Sequence, residues 1–223
     1  MMNYILPIAA VILGILLVLP TRNKKPGFSK IILSFSGSFL LALTLFDLLP
    51  EIYLHLEAKV TAVFIMCGIL LQIVLEFFSK GAEHGHIHIH EEAKFPYLLF
   101  LSLCIHSFLE GFPIHQHSDM VYGVFVHKVP IAMLITTFLL KSKFAKSQVI
   151  LFLGVFALMT PLGTLVSETT ILAATYIHYI NAVVIGIFLH ISTTILFESN
   201  ENHKFNLSKL ISIILGFTLA YFI

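Results

Sequence analysis

The chain has 223 residues, of which 58% are hydrophobic and 11% charged, with Lys and Arg totalling 13, Asp and Glu 12, and a formal net charge of +1. A soluble domain carries about 25% charged residues, so this composition excludes an ordinary cytosolic enzyme, and the lack of a basic excess excludes a nucleic-acid binder. At a mean hydropathy of +0.96, and with roughly 20 apolar residues needed per helical span, the length accommodates about eight spans.

Apolar runs fall at 3–20, 30–50, 60–79, 95–114, 120–140, 148–166, 171–197 and 207–223. Short polar breaks separate them, such as 21–27, 141–143 and 198–204. The runs are long and continuous, which predicts helices and not the alternating strands of a barrel. The expected fold class is an all-α polytopic membrane protein with eight transmembrane helices, forming a single transmembrane domain over 1–223. Its longest hydrophilic stretch is the loop at 80–94.

Nothing positive precedes the first run, and Arg22, Lys24 and Lys25 follow it. It reads as a first span with its N-terminus outside and not as a cleavable signal. Under that orientation the inner loops carry Arg22, Lys24, Lys25, Lys30, Lys80, Lys94, Lys141, Lys143, Lys146, Lys204 and Lys209. The outer loops carry Lys59 alone, and Lys128 falls within a span. The asymmetry fits eight helices with both termini outside. The outer ends hold Glu51, Glu57, Asp119 and Glu168. An acidic mouth would concentrate cations; charges there could equally serve loop solvation alone. Cys67 and Cys104 lie inside apolar runs and offer neither a disulfide framework nor CxxC spacing, so they read as small buried hydrophobes.

Ionisable groups inside spans are costly and mark function by default. The fourth run holds His106 and Glu110, four residues apart and so on one helix face. The fifth holds His127 and Lys128. At 1.5 Å per residue His106 lies roughly 13 Å below an outer end near His115, and His127 on the descending helix lies roughly 12 Å down. Two neighbouring helices thus present His, Glu and His at one level. Imidazole with carboxylate suits Zn²⁺ and related first-row ions. Pro130 and Pro113 loosen the two helices by freeing the carbonyls of Val126 and Leu109. Broken helices near midplane are how transporters build substrate sites. A structural alternative stands beside this: the two His as interhelical hydrogen-bonding groups, with Glu110 paired to Lys128.

The run His106-Ser107-Phe108-Leu109-Glu110-Gly111 resembles the HSxxEG motif of the fourth helix of ZIP-type (Zrt-, Irt-like) metal transporters, and His127-Lys128 resembles an HK variant of their fifth-helix motif. Phe35-Ser36-Gly37 through Phe46-Asp47-Leu48-Leu49-Pro50-Glu51 is similar to the second helix. Gly68 through Glu76, followed by a His-rich loop, is similar to the third. Thr160-Pro161-Leu162-Gly163 resembles the sixth, and Gly186 through His190 to Phe197-Glu198 the seventh, with His190 where Tyr is frequent. The resemblance implies a ZIP-like 3+2+3 bundle with outward termini. It implies movement of a divalent metal toward the cytosol and a metal site between helices four and five, binuclear in some members. This sequence departs from that pattern at Ser107, Lys128, Ile131 and Thr160, where the family often has amide or acidic groups. The departures lead to the expectation of one transport metal on His106, Glu110 and His127, with the Lys128 ammonium standing in for a second cation.

Secondary positions follow from the same pattern. Asp47 and Glu51 are candidates for the outer approach, and His190 and Glu198 for the exit path. Ser36 and Ser38 with Gly37 read as close-packing residues, and His178 as a structural or interfacial one. His115, His117 and Asp119 form a short outer cluster that could capture metal weakly. The inner loop places His84, His86, His88 and His90 at alternate positions beside carboxylates, either as auxiliary metal capture or as a tract without effect on rate. The chain is read as no enzyme and as having no cofactor; the ion is its substrate, most readily Zn²⁺, with Fe²⁺, Mn²⁺ and Cd²⁺ accepted by the same donors. Its partners are that ion, the bilayer of a plasma or inner membrane and, as an open option, a second copy in a homodimer. Two other classes compete. A zinc-dependent intramembrane hydrolase would need an open coordination position and a general base, and a bis-His haem protein would want no carboxylate between its ligands.

Overall fold

The structure is a computed structural model that describes residues 1–19, 27–79, 95–116, 119–142, 144–198 and 207–223. Its elements are α1 (Met2–Val18), α2 (Gly27–Leu43), a π-helical turn (Thr44–Leu48), α3 (Leu49–His55), α4 (Ala58–Ser79), α5 (Tyr97–Leu109), α6 (Phe112–Gln116), α7 (Met120–Lys141), α8 (Lys146–Thr169), α9 (Ile171–Glu198) and α10 (Leu207–Tyr221). No strand occurs among the described residues. The all-helical expectation therefore holds. Because α2, the π turn and α3 run on as one rod, and α5 and α6 as another, the helices line up with the apolar runs read from the sequence. Six rods are long and apolar enough to cross a membrane, and Met2–Val18 and Leu207–Tyr221 are shorter apolar helices. The second rod reaches His55, past the expected end at 50.

Two rods are interrupted, each for a local reason. Pro50 has no N–H, so the carbonyl of Phe46 loses its donor four residues on. The helix widens to π geometry just before it. In the fourth rod the break falls at Glu110-Gly111, where α5 ends and Pro113 removes a further donor. The carbonyls freed there meet a stripe of hydroxyls on α8 at helical spacing. Thr160 Oγ1 donates to the Ser107 carbonyl at 2.8 Å, Thr164 Oγ1 to that of Gly111 at 3.0 Å, and Ser167 Oγ to that of Phe112 at 3.1 Å. In an apolar surrounding, each carbonyl left without a donor would cost several kcal/mol.

Packing is led by α4 along α9, α1 along α7, and α10 along α2, with α2 also against α7 and α9, and α5 against α8. Close approach depends on glycine. A Cβ on Gly163 would fall inside the contact radius of the Phe108 carbonyl oxygen, and one on Gly111 would strike the Thr160 carbonyl oxygen. Those two glycines let α8 lie against the broken rod closely enough for its hydroxyls to reach. Helix α7 is buried along most of its length, including His127, Lys128 and Pro130. Helices α4 and α8 turn Val63, Met66, Leu70, Ile150 and Leu151 outward, as lipid-facing helices do.

Candidate metal site

His106 and Glu110 come from the last turn of α5 and the break that follows it, and His127 from the middle of α7. All three side chains are buried. Each offers a ligand atom within 4.8 Å of the other two. Among the described residues they form the one group of three His, Cys, Asp or Glu that does so. Helical pitch puts His106 and Glu110 together, and His106 Nε2 lies 2.8 Å from Glu110 Oε1. The packing of α7 brings in the third member: the His106 and His127 rings meet edge to face with centroids 6.2 Å apart. Ser36 Oγ on α2 lies 3.4 Å from His127 Nδ1. A partner on one ring nitrogen orients the other toward the cluster, as it does in metal-ligating imidazoles.

Lys128 is 1% exposed and makes the second half of the site. Its three N–H groups meet three acceptors, each at 2.8 Å: Ser107 Oγ, Glu110 Oε2 and Thr160 Oγ1. The ammonium also sits 4.6 Å from the centroid of the Phe156 ring, a cation–π contact. Thr160 Oγ1, 3.2 Å from Glu110 Oε2, closes the cluster. The carboxylate is thus divided between two tasks. Oε2 faces a fixed cation and a hydroxyl, and Oε1 faces the imidazole side. Ser107, Lys128 and Thr160, read separately from the sequence as departures from a motif, are three corners of one polar cluster. Ile131 is buried in the apolar core and takes no part. The Glu110–Lys128 pair forms, while His106 lies against the opposite carboxylate oxygen with the His127 ring beside it.

The remaining sequence candidates divide. Asp47 is half-buried within the π turn, a geometry common at functional positions. Glu51 follows on α3 and is half-buried. His190 on α9 meets Glu76 on α4, with Nε2 and Oε2 2.7 Å apart. The sequence singled out Glu76 only as part of a motif. Nothing in spacing could pair it with a residue so distant in the chain. The side chain of Glu198, the loop residues His84, His86, His88 and His90, and His117 lie outside the described residues. His115 Nδ1 lies 3.5 Å from Glu168 Oε1, while Tyr4 hydrogen-bonds the other oxygen of Glu168. His178, read as structural, stacks on His55, which the sequence reading passed over.

The fold and this cluster define a multi-pass helical membrane protein with a buried His–Glu–His group beside a buried ammonium. The family described as ZIP Zinc transporter matches residues 79–223, and the chain belongs to that family. Over 90 residues the chain is 32% identical to zinc transporter ZIP1 of Danio rerio, covering 37% of this chain and 30% of that protein. Over 150 residues it is 29% identical to zinc transporter ZIP1 of Takifugu rubripes, covering 60% and 49%. Over 166 residues it is 25% identical to protein zntD of Dictyostelium discoideum, covering 62% and 24%. The matched segments span at most about half the length of these relatives. The family match takes in His106, Glu110, His127, Lys128 and His190 together.

Proposed function

We propose that the chain is a divalent metal-ion transporter, with zinc as the ion its donors fit best, which carries the ion toward the cytosol through a site formed by His106, Glu110 and His127. The observation that carries this reading is the burial of two imidazoles and a carboxylate within one coordination radius between two helices. Imidazole nitrogen and carboxylate oxygen suit Zn²⁺, whereas Ca²⁺ and Mg²⁺ prefer oxygen alone. The two fish relatives, both zinc transporters by name, agree with that chemistry.

A transport site must also let go. Lys128 holds one oxygen of Glu110 and leaves the other to the ion. A fixed positive charge beside the ligand weakens the hold on a divalent cation and leaves no vacancy for a second one. The site is therefore mononuclear, with the ammonium where another metal would neutralise the carboxylate. A ligating imidazole presents a lone pair and a ligating carboxylate is ionised, so any proton held by His106 or Glu110 leaves as the ion arrives.

Asp47 and Glu51 lie on the outer approach in this reading, His190 with Glu76 on the inner side, and Glu198 and the His84–His90 tract beyond it. The Lys and Arg distribution supports termini outside. The test is zinc uptake into proteoliposomes holding the wild type, His106→Ala or Glu110→Ala. Both variants are expected to lose at least 10–100-fold in uptake rate at limiting zinc, the loss typical of disturbing a metal's supporting shell. Equal flux in all three would overturn the assignment.

A further inference from the structure

A second group of metal-binding side chains lies away from the central site, on α3 and α9. His55 is at the last residue of α3, and Glu51 stands one turn before it on the same face. His178 faces them from the first half of α9. The His55 and His178 rings stack with centroids 4.1 Å apart and planes 14° apart. Two imidazolium cations would repel in that arrangement, so at least one ring is in the neutral form that binds metals.

One ring nitrogen of His55 is hydrogen-bonded in this structure: Nδ1 lies 3.0 Å from the Glu51 backbone carbonyl. A carbonyl oxygen can only accept, so Nδ1 carries the hydrogen, and the neutral ring keeps its lone pair on Nε2. On His178 the Nδ1 atom is shut off from solvent and meets no hydrogen-bond partner among the described residues. A buried ring nitrogen without a partner is costly, and a bound cation would satisfy it.

We propose that His55, His178 and Glu51 form an outer capture site for a zinc-like divalent cation, separate from the central cluster. The donor set is two imidazoles and a carboxylate, which favours a borderline metal over Ca²⁺ or Mg²⁺. In the stack the ring planes are nearly parallel, so their lone pairs do not converge. His55 is exposed, so its ring can turn about χ2, giving up the Nδ1 hydrogen bond to the Glu51 carbonyl, to aim a nitrogen between His178 and Glu51 when the ion binds. A site with one mobile ligand at the mouth binds and releases easily, as a first contact for the ion requires. Asp47, in the π turn next to α3, is the following carboxylate along the rod. The direction of use rests on the transport reading above; the binding itself does not.

The test is a Co²⁺ titration of the full chain in detergent, followed by the visible absorption that nitrogen-ligated Co²⁺ acquires. The wild type is compared with His55→Ala, His178→Ala, Glu51→Gln and His106→Ala. The loop tract at 84–90 is common to all of them and cancels in the differences. The expected result is a binding component that weakens at least tenfold in each of the three α3 and α9 variants and persists in His106→Ala. Identical titrations of the wild type and His55→Ala would overturn the site, and because His55 is exposed, misfolding would not excuse that result. In uptake assays His55→Ala is expected to raise the half-saturating zinc concentration severalfold and keep the maximal rate. A lost maximal rate with unchanged half-saturation would also overturn it. If His106→Ala transports normally while the outer component behaves as expected, the central reading fails and the outer site stands.

Discussion

Replacing Lys128 by Met keeps much of the side chain's volume and removes its charge. The wild-type ammonium meets Glu110 Oε2, Ser107 Oγ and Thr160 Oγ1, each at 2.8 Å. At that distance and an effective dielectric of about 20, the Lys–Glu attraction is roughly 6 kcal/mol. Desolvation of both charges offsets much of it, but removing one partner of an existing buried pair still costs about 3–5 kcal/mol. The metal-free Lys128→Met protein is therefore expected to be less stable by that range. Zinc would restore the missing positive charge beside Glu110, so saturating zinc should raise the melting temperature of the variant more than that of the wild type. Glu110 would also hold the ion with its full charge. The half-saturating zinc concentration should fall at least tenfold, about 1.4 kcal/mol, and the maximal rate should fall because release slows. Thermal melting in detergent with and without zinc, with uptake in proteoliposomes, reads both effects. Equal zinc-dependent melting shifts, together with unchanged uptake kinetics and unchanged metal stoichiometry, would refute the idea that the ammonium substitutes for a cation.

Gly163→Ala would drive a methyl group into the Phe108 carbonyl and push α8 away from the broken rod. A loss of about 1–3 kcal/mol is expected, with reduced uptake as Thr160 withdraws from Ser107; an unchanged melting temperature would show that the approach is not needed. Thr160→Val keeps the shape but deletes the hydroxyl that accepts from Lys128 and donates to the Ser107 carbonyl. Two buried polar groups lose a partner, so the same melting assay should register about 1–3 kcal/mol. A melting curve that superimposes on the wild type's would mean that these contacts contribute nothing.

What the sequence determined by itself is local or summed over the chain. Apolar runs of sufficient length must be helices in lipid, since every backbone group there needs an internal partner. The i,i+4 spacing of His106 and Glu110 put them on one face because helical pitch permits nothing else. The same rule places His55 one turn from Glu51, although the sequence alone offered no reason to single out His55. What the tertiary structure decided is every pairing between helices. Lys128 could have neutralised Glu110 or pointed elsewhere; the rotation of α7 against α5 and α8 aims it at Ser107, Glu110 and Thr160 together. Glu76 with His190, and His55 with His178, are likewise set by how α3 and α4 lie against α9. The rotation and depth of one helix against another depend on where glycines allow backbones to touch, as Gly111 and Gly163 do. That is a property of two surfaces at once, and no stretch of one helix contains it.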